Sequence, residues 1–415
     1  MLNEETSGPP FDVGFIPAIA AWENQGEAAP LEGWTAQELE SSGAPTRLPL
    51  AAWWPALDRL ATARRARPGW PQPLDDRLTD FVRMLLRFTR PDGRPSALGA
   101  APAGFRTPAS SWSKIASAFP AGDVHRVLSW WFPRRDFEPV PPPLPAWSSP
   151  DRALGVLRAD WTPRGDFLTF DQREDGGGTR FELYGAGVPW LGPNWAAPGP
   201  PGSPTPTSAA EPTAWATNSS ADVAEWTFRA GDLQVTRLAL MLRGRRLAIL
   251  ADQVEGARSA ETLETRLAVP EGLAVATIPD AEALLLRTGG PGKSAQVIPI
   301  GLGRLTFDAE SRRLVLPQVP VEGRAWLPLV VSWDHARHRK PLQWRRLTVA
   351  EQGQACPPEA AWAARVSWGR AETFVVYRSL GPATRRSFLG CSTTARFLVG
   401  RFTPEGDVDV IVTLP

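Results

Sequence analysis

The chain has 415 residues, of which 43% are hydrophobic and 21% charged, and its net charge is +1. That length supports two or three domains around a large buried core, and the near-zero charge excludes a broad field drawing it to nucleic acid or an anionic membrane. Two cysteines, Cys356 and Cys391, are too few for a disulfide framework and leave either one bridge or two buried free thiols.

Residues 1–50 are rich in Pro, Gly, Ala and acidic side chains around isolated Trp22 and Trp34, and predict an irregular arm able to dock a protein partner. The first ten residues have no basic stretch and no apolar run, so no secretory signal is visible and a cytoplasmic location is the default expectation. No apolar stretch approaches the roughly twenty residues that span a bilayer.

A small helical domain is expected over 51–135. Residues 55–65 form a short amphipathic candidate, and over 74–89 Leu74, Leu78, Phe81, Val82, Leu85, Leu86 and Phe88 recur at helical steps. Asp75 and Asp76 favour the dipole of its first turn, and Pro91 stops it before the Pro91-Asp92-Gly93 turn. Another short helix covers 123–132, with His125 capping or packing. Residues 136–150 hold the run Pro139–Pro145, a stiff polyproline linker that marks the domain boundary.

From 151 to 415 the period changes to two. Strands are expected at 154–158, 167–170, 180–184, 225–228, 233–241, 246–254, 264–269, 284–288, 296–300, 313–316 and 326–333, followed by a closing set within 365–402. Many short strands without intervening helices predict a mainly β fold, one large antiparallel sandwich preceded by a small, Pro-rich helical region. Residues 192–214 interrupt it; seven prolines there predict a surface loop, because Pro cannot donate to a central ladder.

The closing runs, from Arg365-Val366-Ser367-Trp368-Gly369 to Phe397-Leu398-Val399-Gly400-Arg401-Phe402, resemble the last strands of heparinase II/III-like proteins, a family that includes polysaccharide lyases. Arg246–Gly256 looks like that family's aspartate (here Asp252) and short turn after an apolar strand. Phe88–Gly93 is similar to the loop after a helix pair in the α/α toroid that precedes the sandwich. The resemblance implies a cleft between toroid and sandwich, an acidic polysaccharide as ligand, and β-elimination as chemistry. Only about a hundred residues remain here for helices, so a remnant of a toroid is expected.

Elimination across a uronic acid needs a group to neutralise the carboxylate, a base for the C5 proton and an acid for the leaving oxygen. Tyr and His supply the last two, and this chain holds two tyrosines and three histidines. Active members carry a histidine-rich stretch near the start of the sandwich; the matching piece, Asp175–Tyr184, has the glycines and the strand but no histidine. The turn after Asp92-Gly93 runs into 97–100 without an acidic residue.

Tyr184, flanked by Gly185 and Gly187, is the candidate catalytic residue as a general acid; the alternative is a strand tyrosine packed at a sheet edge. Arg180 and Glu182 share its side of the strand at period two and form a candidate ligand-facing strip. Trp190, Asn194 and Trp195 complete the binding set, the indoles either stacking on sugar rings or packing. His335 and His338 fit a solvated basic turn better than a metal site, and no cofactor or metal motif is present. Nearly all positive charge is arginine, which suits bidentate carboxylates through Arg158, Arg180 or Arg378, or reflects a GC-rich genome. Three functions follow. The first is an acidic-polysaccharide binder with weak or no lyase activity. The second is a structural or interaction module that kept the sandwich. The third is an active lyase using Tyr184, an arginine neutraliser and His335 or His125.

Overall fold

The structure, a computed structural model, describes residues 14–46, 50–98, 108–119, 122–131, 145–172, 178–200, 206–258, 261–290, 292–369, 372–382, 384–403 and 405–415. It forms two compact units, residues 1–145 with 161–165, and residues 146–160 with 166–415. The polyproline run at 139–144, the first thirteen residues and the glycines at 176 and 177 lie outside the described residues.

The first unit is helical: α1 (Phe15–Gln25), α2 (Ala29–Glu38), α3 (Leu50–Ala66), α4 (Gln72–Arg87), α5 (Pro108–Ala118) and α6 (Gly122–Trp131). The expected irregular arm is therefore corrected to a helix pair. Phe15, Ile19 and Trp22 fall on one buried face, and Leu31 and Trp34 on another. Alanine is the best helix former, and Pro30 stands in the first turn, where a missing N–H costs nothing. The α4 periodicity is the one expected, with Leu74, Leu78, Phe81, Val82, Leu85 and Leu86 buried.

α2 and α4 end in the same turn. Leu39 bridges Pro45 and Thr89 bridges Pro95, with Glu40 N–H donating to Ala44 O and Arg90 N–H to Arg94 O, both at 2.8 Å. Gly43 and Gly93 carry the left-handed residue, at φ 82° and 80°. The unit is thus a repeat of helix pairs, as an α/α toroid is, with Trp53, Trp54, Trp112 and Trp131 packed edge-on inside it. Among the described residues no helix is long and apolar enough to cross a membrane.

The second unit contains, among the described residues, antiparallel sheets of nine, eight, five and four strands. The expected antiparallel sandwich is present, in three stacked layers with a small fourth sheet. The first sheet runs from Trp147–Ser148 through Leu154–Arg158, Phe167–Asp171 and Thr179–Gly185 to Asn194–Trp195, Leu263–Ala268, Arg313–Gln318 and Thr306–Asp308. The middle sheet centres on Ala221–Ala230, Leu233–Leu242, Leu247–Glu255 and Arg324–Ser332, and the third holds Ala361–Trp368, Glu372–Ser379, Phe397–Phe402 and Val408–Leu414. One apolar core fills the space between first and middle sheets and another that between middle and third. The middle sheet is covered on both faces, so its strands are buried along nearly their whole length, polar side chains included. Arg386–Phe388, expected to continue the closing set, belongs instead to the small sheet. Cys356 and Cys391 are free and half-buried against its core.

Each interlayer core encloses one ionic clasp. Between the first two sheets, Arg237 and Asp252 are cross-strand partners, both 0% exposed, with Nε to Oδ1 at 2.7 Å. All five guanidinium N–H groups are used: two on Asp252, one on Thr179 Oγ1, and two on the carbonyls of Trp195 and Ala196. Between middle and third sheets, Arg378 donates to Glu225 at 2.5 Å and to Gln253 Oε1 at 2.8 Å.

Candidate functional site

Strand Thr179–Gly185 buries Phe181 and Leu183 in the sandwich core, so Arg180, Glu182 and Tyr184 share its opposite face, as period two requires. Register extends that face sideways: Arg180 pairs with Asp171 and Asn194, Glu182 with Thr169, and Tyr184 with Phe167. The Arg158 guanidinium lies 5.0 Å over the Phe167 ring, whose centroid is 5.4 Å from that of Tyr184. The face is not the open strip expected. Glu182, Thr169, Asp171 and Arg158 are buried and Tyr184 is 4% exposed, whereas Arg180 is exposed and Asn194 half-buried. Its middle is closed.

Trp190 and Trp195 are corrected more sharply. Each is 1% exposed, Trp190 donating its indole N–H to Gly185 O at 3.1 Å and Trp195 to Asp252 Oδ2 at 3.1 Å. Neither has a face for a sugar. The reason is topological, because Val188–Leu191 and Asn194–Trp195 pair with strand Thr179–Gly185 and carry both indoles beneath the sheet. The surface loop expected over 192–214 thus begins as a strand and ends in another, Glu211–Thr217. Arg378, proposed as a ligand arginine, is spent on Glu225. Asp252, carried by the resemblance, is spent on Arg237.

The open feature beside Tyr184 is the hairpin to Val188. Ala186 and Gly187 both have positive φ, 52° and 81°, the signature of a type I′ turn. A Cβ on Gly185 would stand 2.3 Å from Trp333 Nε1, so the close approach serves an indole and not a ligand. Asp166 Oδ1 fixes the turn by accepting the Ala186 N–H at 3.0 Å and the Trp333 indole N–H at 2.9 Å. Burial lifts the Asp166 pKa to about 6, opposed by these hydrogen bonds. At Gly187, a Cβ would lie 3.3 Å from Lys293 Nζ and 4.0 Å from Tyr184 Oη. A phenol and an ammonium therefore border one exposed glycine.

The chain continues from Lys293 to an imidazole. Ser294 Oγ is 2.7 Å from His338 Nδ1, and His338 Nε2 is 3.1 Å from Ser332 O. A carbonyl only accepts, so Nε2 carries the proton and Nδ1 accepts the serine hydroxyl. Burial holds His338 below the usual histidine range. His335 is exposed and stands 3.2 Å from Arg339 Nη2. The two rings are 6.5 Å apart, and among the described residues no three metal-ligating side chains gather. His125 is half-buried on α6.

Sequence reasoning missed Lys293, Asp166 and Arg237. Lys293 carried a signal, being one of three lysines among 45 basic residues and following a glycine-rich turn. Arg237 carried another: it holds the inward phase of a strand whose neighbours on that phase are Val235, Ala239 and Met241.

No family model matches the chain, and no curated protein matches it. Solved structures match over most of its length. The heparan sulfate lyase HepC of Pedobacter heparinus is 12% identical with a TM-score of 0.67, and a heparinase III is 12% identical with a TM-score of 0.68. The matches cover 85% and 88% of this chain but only 61% and 64% of those proteins. A Paenibacillus xanthan lyase is 9% identical with a TM-score of 0.52, covering 92% of this chain and 50% of its own. The fold is therefore that of a heparinase-like polysaccharide lyase.

Proposed function

We propose that this protein binds an acidic polysaccharide through its sandwich and performs little or no β-elimination on it. The observation that carries the reading is the pairing of Tyr184 Oη and Lys293 Nζ around Gly187 on a lyase-like scaffold. Lys293 offers a cation for a uronate carboxylate, and the positive-φ glycine lets a chain approach the backbone.

Little elimination is expected because the proton-transfer groups are engaged. Both nitrogens of His338 are held by Ser294 and Ser332, and Tyr184 is buried against Phe167. The second tyrosine, Tyr377, is stacked on Phe388 in a different core. A second reading, an active lyase, is favoured by the same pair at Gly187, which sets a cation for the substrate carboxylate and a phenol able to exchange a proton around one glycine.

Calorimetry with polygalacturonate, alginate and xanthan tests the first reading. Binding to at least one polymer is expected, weakened about tenfold in Lys293→Ala, the loss typical of one charge-assisted contact. Absence of binding to all three overturns it. Growth of the ultraviolet absorbance of an unsaturated uronate, abolished in Tyr184→Phe, would establish the second reading.

A further inference from the structure

A groove of about 810 Å³ opens in the sandwich unit on the edge of the middle sheet, where strands Leu273–Ile278, Ala283–Thr288 and Ser294–Pro299 meet residues 335–343. Its size is that of a small-molecule site. Arg287, Lys293, His335, His338, Arg339 and Lys340 line it, against a single carboxylate, Asp280. These include two of the chain's three lysines and two of its three histidines. The concentration is not a reflection of composition, since the whole chain is almost neutral.

The state of these cations differs from that of the arginines that clasp the sandwich together. Arg237, Arg243, Arg266, Arg337, Arg378 and Arg386 each hold a carboxylate. Among the described residues, none of Arg287, Lys293, Arg339 and Lys340 is in an ion pair. Glu372, an acid within electrostatic reach of Lys340, is taken by two bonds from Arg337. Four like charges around one depression repel one another, and a ligand that neutralises them gains that energy. Around them stand neutral hydrogen-bonding groups, Thr277, Ser294, Gln296 and Gln343, and an apolar edge of Ile278, Leu285 and Leu342. Hydroxyl partners, a carbon face and converging cations together fit a polyhydroxylated ring bearing several oxyanions. A carboxylate polymer presents one charge per residue; four cations within one groove match denser charge.

We propose that this groove is a second anion site, for a compact polyol carrying clustered tetrahedral oxyanions, sulfate or phosphate esters. Lys293 lines the groove, and its Nζ also lies 3.3 Å from where a Cβ on Gly187 would stand, so one ligand end reaches the Tyr184 turn. The site shares only Lys293 with the Tyr184 turn and stands whether or not Tyr184 meets a polymer.

The test is calorimetry on the full chain with two probes, sucrose octasulfate and inositol hexakisphosphate, which separate a sulfated sugar from a phosphorylated polyol. The variants are Arg287→Ala/Arg339→Ala/Lys340→Ala, and Arg59→Ala/Arg229→Ala as a control that removes exposed cations elsewhere. Micromolar binding of at least one probe is expected, lost at least thirtyfold in the groove variant and unchanged in the control. Its melting temperature should be no lower than that of the wild type, because unpaired repelling charges have been removed. Binding of neither probe overturns the proposal. So does equal binding by the groove variant, or an equal loss in the control, which would reduce the effect to bulk charge. Failure of all polyuronates to bind would remove the polysaccharide reading and leave this result untouched.

Discussion

Burial lifts Asp166 to about 6 although its Oδ1 accepts two N–H groups, so the carboxylate is held at a cost. Because its folded pKa is raised above the ordinary 3.8, its contribution is fully present below pH 4 and is lost as pH rises through 6. Asp166→Asn keeps an oxygen for both donors and never ionises. It should therefore raise stability by about 3 kcal/mol at pH 8 and by almost nothing at pH 4, read from urea unfolding at the two pH values. Equal effects at both would show that the hydrogen bonds, and not desolvation, govern the residue. Asp252 is held by more partners: Arg237, Thr265 and the Trp195 indole all donate to it. Asp252→Ala leaves a guanidinium wholly buried without its counter-charge, and a loss of about 3–5 kcal/mol is expected.

Among elements, the turns after α2 and α4 are the most sensitive to sequence. A Cβ on Gly43 would stand 2.3 Å from the Asp80 backbone carbon, in a residue at φ 82°. Gly43→Ala thus combines a left-handed strain with a clash against a helix that cannot yield, and should lower the melting temperature of the helical unit by several degrees. α4 was legible because its apolar positions repeat cleanly, whereas α1 and α2 were hidden by a Pro- and Ala-rich composition common to helix and loop. Long strands such as Leu233–Leu242 announced themselves. Short pairings such as Asn194–Trp195 did not, because two residues carry no period and their partners, Thr179 and Leu267, are distant in sequence.

At the scale of the whole sandwich, the middle sheet is shared by two apolar cores and supplies both buried clasps. Damage to either core is therefore felt by the same sheet. Glu225→Gln, which uncouples Arg378 and Arg396, should lower the same thermal transition as Asp252→Ala; two separable transitions would show that the layers melt independently. Alternation along the strands determined by itself that the chain would build an antiparallel β body after a helical region, since period two leaves no other way to bury one face of so many segments. The rarity of lysine, histidine and tyrosine was equally plain in the sequence, and it set which side chains had chemistry to offer. Only the tertiary structure decided which of them meet. Trp190 and Trp195 went under a sheet, Arg378 into an ion pair, and Lys293 and Tyr184 around one glycine, because strand pairing and the stacking of layers join residues distant in sequence by a geometry that no local pattern encodes.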